Sequence, residues 1–567
     1  MTGQRDTLSW LKQGARAVAF GNPLYNLTLG GRTVTELVTV PPDPWPGDAD
    51  LGTAIMDGIF PFGGEVMQAD EPVWVPPHGF GRVWLSVMNS FDWLRDLRAV
   101  GGDTPRRQAR HLVSGWLDQH GGWNSISWAP DVLGARIANW IGQHDFYCQS
   151  ADDGFRIRVF ESLGRQTRHL ARVTPGRLQG AALLTAIKGL AYGGLCLPGC
   201  EKHLAQAMRL LERELPIQIL PDGGHVERNP ERHMIVLRHL IDIRAALRAA
   251  RHEVPEALQH AIDRMTPALR FFRHGDGGLG LFNGGQEADP SMTDTVLAQA
   301  DARGRPLKSA PHCGFERMLA GRTLVLIDTG RAPAPGLDLD AHAGTLSFEL
   351  SVGRERLIVN CGSHPSRVGR WRNALAATAA HSTIAVAETN SAEVLEQGGL
   401  GRRPGRITCE RIDSDGGTLV EATHDGYVRA FGLVHRRRLY LMDNGEDLRG
   451  EDTLEGPAGH PFVLRFHLHP AVDVSMPPNG GSALMKLPSG AGWRLRATGG
   501  TIDVAESIYL GGGFGDGDEP RRSSQIVISG ETETDHTVVK WALRREKKQP
   551  PLPSAPPAPP PEETDPT

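Results

Sequence analysis

The sequence has little of several features that would assign it to a specialised class of protein. Its 567 residues contain only six cysteines, and just two of them, Cys196 and Cys200, lie close together. A single C-x-x-x-C pair is weak evidence for zinc, and six cysteines are too few for a disulfide scaffold in a chain of this length. The formal charge is only −5. Nothing therefore indicates a nucleic-acid partner or a membrane-surface partner.

Targeting segments are also lacking. No window approaches the roughly 20 apolar residues that are needed to span a bilayer. The first residues, MTGQRDTLSWLKQGARAVAF, have neither an uninterrupted apolar core nor a small-residue cleavage signature, so they do not predict a secretory signal. The expectation is a cytoplasmic protein without a membrane span, and a periplasmic location would require another export route.

Hydrophobic periodicity divides the chain into two halves, as expected for a length that is too great for one core. From about residue 82 to 273, apolar residues recur at spacings of three and four, for example in DVLGARIANWIGQHDFY (131–147). This spacing is typical of amphipathic helices. About eight such stretches follow one another with short connections, which predicts a bundle or a closed ring of antiparallel helix pairs.

From about residue 320 the period changes to two. About a dozen short alternating runs, such as RTLVLIDTG (322–330) and FVLRFHLHP (462–470), are separated by Gly, Asp, Asn and Pro. This pattern predicts a sandwich of antiparallel sheets. The fold class is therefore multidomain, α then β.

The composition shifts suggest five segments. They are a lead-in at 1–60, a helical domain at 61–285, a connection at 286–319, a β-sandwich at 320–545 and a Pro-rich tail at 546–567. The tail has almost no large apolar residue, so it is predicted to be disordered or extended and to lie outside the fold.

One histidine in the sandwich half raises a question about its role. In AHAGTLSFEL (341–350), apolar and polar residues alternate from Leu346 onward, and His342 has the same parity as the apolar residues. A strand that began early would point His342 inward. The pattern leaves three roles open, namely a packed core residue, a metal ligand and a catalytic group.

The loop LPDGGHVERNPERH (220–233) concentrates chemically active residues in the helical half. His225, Glu227, Arg232 and His233 lie within nine positions. One interpretation is a functional loop. The other is a helix start, with Asn229 as the N-cap and proline at the first helical position.

The two halves and several motifs together resemble the heparinase II/III-like polysaccharide lyases. The motifs are LPDGGHVERNPERH (220–233), GLGLFNGGQE (278–287), AGRTLVLIDTG (320–330), AHAGTLSFELSVGRERLIVNCGS (341–363), HSTIAVAE (381–388) and HDGYVRAFGLVHRRRLYL (424–441). The resemblance covers about residues 80 to 540. It implies an incomplete α/α toroid followed by an antiparallel β-sandwich, with an acidic polysaccharide held in the cleft between them.

The reaction that the resemblance implies is β-elimination at a uronic acid. The C5 proton is weakly acidic, so a lyase must neutralise the carboxylate, supply a base and protonate the leaving oxygen. In the family an amide on a toroid helix meets the carboxylate, and a tyrosine and a sandwich histidine handle the protons. The matching amide here would be Gln179.

At the proton-transfer positions the chain departs from the family. Arg232 stands where the tyrosine is expected, and Asp340 replaces a histidine two residues before His342. A guanidinium stays protonated and is not an ordinary base. The remaining candidates for the base are His225, His233, Asp340 and Tyr427, a residue in a stretch that faces the cleft in the family.

The resemblance also implies possible metal and sugar contacts. His342, Asn360 and His381 match a zinc site of some family members, although an amide is a poorer zinc ligand than a carboxylate. The alternative is a hydrogen-bonded structural cluster. Trp123 and Trp128, in the loop GGWNSISW (121–128), are candidates to stack on a sugar ring, while the other interpretation places them in the core.

Three functional hypotheses follow from the sequence. The first is a lyase that acts on an acidic, uronate-containing polysaccharide. The second is a carbohydrate-binding protein of the same fold that has lost catalysis. The third is a cytoplasmic structural or assembly factor that uses the fold as a scaffold.

Overall fold

The computed structural model describes residues 19–31, 34–69, 74, 79–366, 369–478, 480–512, 520–533 and 535–546. The start of the predicted lead-in and all but the first residue of the predicted tail lie outside these residues. Within them, helices form the first half and antiparallel sheets the second half. The predicted fold class is therefore confirmed.

The helical half consists of packed helices, with a small β-hairpin inserted after the second helix given below. The hairpin is β1 (Ile59–Phe62) with β2 (Glu65–Gln68). The helices are α1 (Pro23–Thr28), α2 (Ala49–Met56), α3 (Arg82–Ser90), α4 (Leu94–Val100), α5 (Asp103–His120), α6 (Pro130–Gly142), α7 (His144–Tyr147), α8 (Asp153–Val173), α9 (Gly180–Cys196), α10 (Glu201–Gln218), α11 (Pro230–Ala249), α12 (Glu256–Phe272) and α13 (Pro290–Ala300). Within the described ranges, no helix has both the length and the apolar character that crossing a membrane requires.

Two local features of the helical half have clear physical causes. The stretch 82–100 has one helical period but forms two helices, because Phe91 adopts a left-handed conformation with φ 60°. Its ring is buried and stacks on Trp74 with 5.2 Å between centroids. The central helix α9 packs closely on α6 because Gly189 has no side chain. A Cβ at Gly189 would lie 2.3 Å from the Cα of Gly134.

The sandwich half consists of two antiparallel sheets in the described part of the chain. One sheet has the order β14–β15–β16–β19–β12–β11–β10–β9, and the other has the order β17–β18–β13–β7–β6–β5–β4–β3, with β8 paired to β13. The strands are β3 (Ser309–Ala310), β4 (Phe315–Ala320), β5 (Thr323–Asp328), β6 (Phe348–Val352), β7 (Glu355–Val359), β8 (Ile384–Val386), β9 (Ile407–Ser414), β10 (Gly417–Tyr427), β11 (Leu433–Met442), β12 (Asp447–Glu455), β13 (Pro461–Leu468), β14 (Asp473–Ser475), β15 (Ser482–Lys486), β16 (Gly492–Thr498), β17 (Thr501–Tyr509), β18 (Arg521–Glu531) and β19 (His536–Arg545). Two short helices are α14 (Arg370–Ala376) and α15 (Val428–Phe431).

The core between the sheets is aromatic and aliphatic. Phe348 stacks on Trp541 with 5.7 Å between ring centroids, and Phe466 meets the same indole edge-on at 4.9 Å. All three side chains are buried. The alternating pattern predicted from the sequence therefore places its apolar face in this core.

The predicted connection at 286–319 is largely structured. It contains α13 and the first strands of the sandwich, β3 and β4. The preceding segment is bound to the sandwich by two polar contacts. The Nε2 of the buried His274 lies 3.0 Å from a carboxylate oxygen of Glu349, and the buried Arg356 forms an ion pair with the partly exposed Asp276 at 2.6 Å. The two halves are therefore joined by polar side chains, most of which are withdrawn from water.

Asp96 on α4 gives the helical half an expected pH dependence. Its carboxylate accepts the N–H of Asp48 at 2.8 Å. Burial, with the nearby charges of Asp92 and Asp48, raises the pKa of Asp96 to about 7. An unfolded aspartate has a pKa of about 3.9, so the folded state retains this proton up to about pH 7. The contribution of Asp96 to stability is therefore lost as the pH rises from about 4 through about 7.

The Asp96→Asn variant should remove this pH dependence, because an amide side chain does not ionise. We expect the variant to gain stability relative to the unmodified protein at pH 8 and to gain less at pH 5, measured by urea unfolding at both values. Asp57→Asn, at an exposed position that ends α2, is the control and should show no such difference. An equal effect of Asp96→Asn at both pH values would contradict the assignment.

Candidate functional site

The loop 222–233 is built as a helix start. A short bridge pairs Ile219 with His225 after α10 ends. The Oδ1 of Asn229 accepts the N–H of Arg232 at 3.0 Å, and Pro230 takes the first helical position of α11. The capping interpretation is therefore confirmed, and it is compatible with a site because a capped helix holds its first side chains in fixed directions.

Arg228, to which the sequence analysis gave no role, holds this loop against the sandwich. Its guanidinium donates to the carbonyl oxygens of Cys313, Arg331 and Gly314 at 2.6, 2.8 and 2.9 Å. It also forms a buried ion pair with Asp328 at the end of β5. The backbone of Arg228 is left-handed, with φ 54°. Residues other than glycine rarely adopt this conformation, and the sequence does not reveal it.

Arg232 and Asp340 meet across the boundary between the two halves. The Nη2 of Arg232 donates to the Oδ2 of Asp340 at 3.2 Å, and the two side chains are 33% and 20% exposed. Burial alone would lower the pKa of Arg232, but the negative charges of its carboxylate neighbours, Asp340 first, raise it above its ordinary value. The guanidinium therefore stays charged.

Glu227 and Glu231 surround this ion pair. The Oε1 of Glu227 accepts the N–H of Ala181 at 2.7 Å, at the start of α9, where the helix dipole favours a negative charge. Burial raises the pKa of Glu231, and the charge of Asp340 adds to the shift while Arg232 opposes it. The cluster has three carboxyl groups and one guanidinium.

Gln179 lies at the same edge of the toroid. It is the N-cap residue of α9 and is exposed, and its amide oxygen would lie 2.6 Å from a Cβ at Gly336 in the sandwich half. The adjacent Gly180 is packed against the Glu227 carboxylate. The structure therefore brings Gln179, Glu227, Arg232 and Asp340 together at the boundary between toroid and sandwich. We call these four residues, with Glu231, the boundary cluster.

His225 and His233 face the interior of the helical half. Both are buried, and a ring nitrogen of each lies near an acceptor, Gln218 Oε1 at 3.3 Å for His225 and the Met265 carbonyl at 2.9 Å for His233. Burial lowers the pKa of His225 to about 3 and that of His233 to about 4. Both imidazoles are therefore neutral at pH 7 and enclosed.

Tyr427 does not join the boundary cluster, in contrast to the expectation that it faces the cleft. It is fully buried, and its hydroxyl donates to the carbonyl of Ile384 at 2.8 Å. The register of β10 against β11 shifts between His424 and Tyr427, and this irregularity directs the ring into the core. Burial raises the pKa of Tyr427, so it is a structural residue.

Two of the three possible metal ligands, His342 and His381, contact each other. The strand β6 begins only at Phe348, because Leu346 is left-handed with φ 61°, so the parity argument does not apply to His342. The Nδ1 of His342 lies 3.2 Å from the Nε2 of His381. The Nδ1 of His381 lies 2.8 Å from the Ala377 carbonyl.

The side-chain amide of Asn360, the third possible ligand, is hydrogen-bonded to the backbone. Its amide donates to the Leu281 carbonyl and accepts the N–H of Ser382, at 3.2 and 3.1 Å. Across the described ranges, no group of three or more His, Cys, Asp or Glu is arranged to hold a metal ion. Two imidazoles and a neutral amide that is already hydrogen-bonded are a poor donor set for zinc, so we derive no chemistry from one.

The two candidate sugar-stacking tryptophans belong to the helical core. Trp128 is buried, and its Nε1 donates to the His120 carbonyl at 3.1 Å. Trp123 is half-buried, and its ring centroid lies 6.0 Å from that of Phe20. Both tryptophans therefore fit a role in the packing of the helical half better than a role in stacking on a sugar ring.

Comparison with known proteins matches both halves of the chain to the same family. The model for the heparinase II/III N-terminus matches residues 116–301, and the model for the heparinase II/III-like C-terminal domain matches residues 302–542. FtsZ-localized protein C from Caulobacter vibrioides (strain NA1000 / CB15N) is 32% identical over an alignment of 552 residues, and the match covers 93% of each chain.

Two solved structures show the fold. Heparinase III superposes with a TM-score of 0.72 at 14% identity, covering 94% of this chain and 91% of that one. A mutant of heparan sulfate lyase HepC from Pedobacter heparinus gives a TM-score of 0.60 at 13% identity, covering 88% and 83%. At these identities the likeness concerns the toroid and the sandwich alone.

Proposed function

Because the chain belongs to the heparinase II/III-like family, we propose that it is a polysaccharide-binding protein with a lyase fold that does not catalyse β-elimination. The observation that carries the proposal is the ion pair between Arg232 and Asp340. At these two positions the family resemblance implies a tyrosine and a histidine that transfer protons.

The chemistry of the boundary cluster supports the loss of elimination. A base must accept the C5 proton, and a group near the leaving oxygen must donate one. The guanidinium of Arg232 cannot accept a proton, and Asp340 is bound to it. His225 and His233 are enclosed, and Tyr427 donates to a backbone carbonyl in the core.

The charge of the cluster also argues against recognition of a uronate at this point. Asp340 and Glu227 already lie beside the Arg232 guanidinium, and burial favours the neutral form of Glu231 by raising its pKa. A substrate carboxylate would have to compete with these two carboxylates for Arg232, and like charges brought together at an interface are unfavourable. A polysaccharide held by this protein would therefore be recognised through groups other than an acid bound to Arg232.

The test is an elimination assay combined with a binding assay. A panel of uronate-containing and neutral polysaccharides is incubated with the protein, and absorbance from a new C4=C5 double bond is followed. We expect no absorbance with any polymer, and retardation of the protein in affinity gels that contain at least one polymer. Absorbance on any polymer would overturn the loss of catalysis, and migration unaffected by every polymer would overturn the binding function.

A second candidate function is favoured by the sequence identity to FtsZ-localized protein C. That relative is 32% identical and spans nearly the whole chain. We propose that this protein also localises with FtsZ, acts in the cytoplasm and uses the lyase fold as a scaffold. Co-localisation of a fluorescent fusion with FtsZ, and recovery of the protein in the cytoplasmic fraction, are the expected results. A diffuse fusion, or recovery in the periplasmic fraction, would overturn this candidate.

A further inference from the structure

The outward face of the eight-stranded sheet carries a shallow groove of about 650 Å³. It crosses the neighbouring strands β16, β19, β12, β11 and β10 and shares no residue with the boundary cluster. Alternation along β19 shows that this face is turned to solvent. Trp541 and Leu543 are buried in the core between the sheets. Lys540 and Arg544 are exposed, and Ala542 between them points the same way.

The strand register places one residue from each of the five strands in a single row. Leu419 pairs with Tyr440, and Tyr440 pairs with Arg449. Arg449 pairs with Ala542, and Ala542 pairs with Arg496. Paired residues point to the same face, with their Cβ atoms about 5 Å apart. We call Leu419, Tyr440, Arg449, Ala542 and Arg496 the groove row.

Ala542 forms a notch between two guanidinium groups. Its methyl side chain lies between Arg449 and Arg496, which come from the strands on either side of β19. Those two strands are about 10 Å apart. The side chain of Arg449 is 50% exposed, and Arg496 is exposed as well. Both guanidiniums can therefore reach an anion that is seated above Ala542.

The adjacent row of charged side chains is balanced. Its residues pair across the strands in an order that alternates the sign of the charge, namely Glu421, Arg438, Glu451 and Lys540. Arg438 forms ion pairs with both glutamates, and its distance to Glu451 is 3.5 Å. Lys540 contacts Glu451 at 3.6 Å. This row therefore adds no net charge to the groove.

The charges on the other side of the groove row also cancel. Arg544 contacts Asp447 at 3.0 Å, and Arg494 contacts Glu546 at 2.5 Å. Asp447 also lies 3.1 Å from Arg449, so one carboxylate serves two guanidiniums. The two arginines of the groove row are therefore a positive surplus around the groove, although the whole chain has a formal charge of −5.

This surplus and its geometry indicate a ligand with a carboxylate. A planar guanidinium donates two parallel hydrogen bonds to a carboxylate, which makes such pairs directional. The ion pair between Arg449 and Asp447 is partly exposed, and such pairs contribute little to stability. Arg449 therefore remains available to a ligand. The half-buried ring of Tyr440, next to Arg449, provides surface for the apolar face of a sugar.

The interior position of these strands favours a polysaccharide over a polypeptide. Each of the five strands is hydrogen-bonded to a neighbouring strand on both sides, so the groove presents mainly side chains. A polypeptide that binds a sheet as an added strand needs an open edge, because its own N–H and C=O groups require partners. A uronate polymer has no amide backbone, and its hydroxyl and carboxylate groups bind to side chains directly.

We propose that the groove row binds an acidic polysaccharide, with a sugar carboxylate above Ala542, between Arg449 and Arg496, and a neighbouring sugar ring against Tyr440. The proposal rests on the proposed polysaccharide-binding function and gives that function a site and a preference for acidic polymers. The site lies on the outward face of the sandwich, whereas the family resemblance implies a cleft between the two halves.

The first measurement is calorimetric titration of the full chain with hexagalacturonate. Maltohexaose is the neutral counterpart, and hexaglutamate carries its carboxylates on a peptide backbone. We expect hexagalacturonate to bind and each of the other two to bind about tenfold more weakly. Raising the salt concentration from about 0.1 to about 1 M shortens the screening length from about 10 to about 3 Å, so the affinity for hexagalacturonate should fall.

Substitution of the two arginines tests the groove row itself. Arg449→Gln and Arg496→Gln should each weaken the binding of hexagalacturonate about fivefold, because each removes charge-assisted hydrogen bonds. The affinity of the double variant should also depend less on salt. Arg522→Gln is the matched control, because Arg522 is an exposed arginine on β18 in the other sheet. It should bind as the unmodified protein does.

The outcomes separate the groove row from the broader function. Unchanged affinity in a double variant that circular dichroism shows to be folded would overturn the groove row and leave polysaccharide binding intact. Tighter binding of maltohexaose, or of hexaglutamate, than of hexagalacturonate would overturn it as well, in favour of a neutral glycan or an acidic protein segment. Failure of every polysaccharide to retard the protein in affinity gels would overturn the proposed function itself.

Discussion

Replacing Asp452 by alanine should lower the free energy of unfolding by about 3–5 kcal/mol. Asp452 lies on β12 and is 1% exposed. Its Oδ1 accepts from His435 Nε2 and from Arg437 Nε, both at 2.8 Å, and its Oδ2 accepts the indole N–H of Trp541 at 2.9 Å. The alanine variant would leave a buried guanidinium without its counter-charge, which is the costly way to break such a pair.

The same substitution should disturb loops beyond the strand. Arg437 also donates to the carbonyl oxygens of Leu346 and Ser382 at 2.7 and 2.8 Å. These residues flank the segments that carry His342 and His381. We therefore expect the stability loss to be accompanied by faster amide hydrogen exchange around both segments.

Urea unfolding of the Asp452→Ala variant measures the effect. Asp452→Asn keeps the side-chain shape and removes the charge, so its loss should be intermediate. Glu410→Ala, on the exposed face of β9, should change stability by no more than about 0.5 kcal/mol. A loss below about 1 kcal/mol for Asp452→Ala would show that the network contributes little to stability.

Replacing Arg228 by alanine should separate the unfolding of the two halves. The variant loses three bonds to backbone carbonyls and leaves Asp328 as a buried carboxylate without its partner. Removal of one member of a buried ion pair costs about 3–5 kcal/mol. Arg228 belongs to the helical half, and all four acceptors lie at the start of the sandwich half. The substitution should therefore weaken the contact between the two halves.

Scanning calorimetry is the appropriate measurement for Arg228→Ala. We expect a lower first transition and a wider gap between the transitions of the helical and sandwich halves. The matched control is Arg331→Ala, because Arg331 contributes its carbonyl and has an exposed side chain. A single transition with an unchanged midpoint would refute the contribution of Arg228 to the contact between the halves.

Some local predictions from the sequence were accurate because they depended on nearest neighbours. Asn229 followed by Pro230 predicted a helix start, and the cap is present. The alternation around RTLVLIDTG predicted a strand, found as β5. Other local predictions were incomplete, because Phe91 and Leu346 adopt left-handed conformations. Tertiary packing overrides the helical period at the first residue and delays the strand at the second.

The sequence by itself determined the order of a helical half and a sandwich half and the helix start at Asn229. Its resemblance to the family implied that Arg232 and Asp340 replace a tyrosine and a histidine. Only the tertiary structure decided that those two replacements pair with each other, 108 positions apart. It also decided that Tyr427 is enclosed and that Asp92 lies beside Arg238. The physical reason is that periodicity records which face of an element is buried. The partners of a charged side chain depend instead on how distant segments meet.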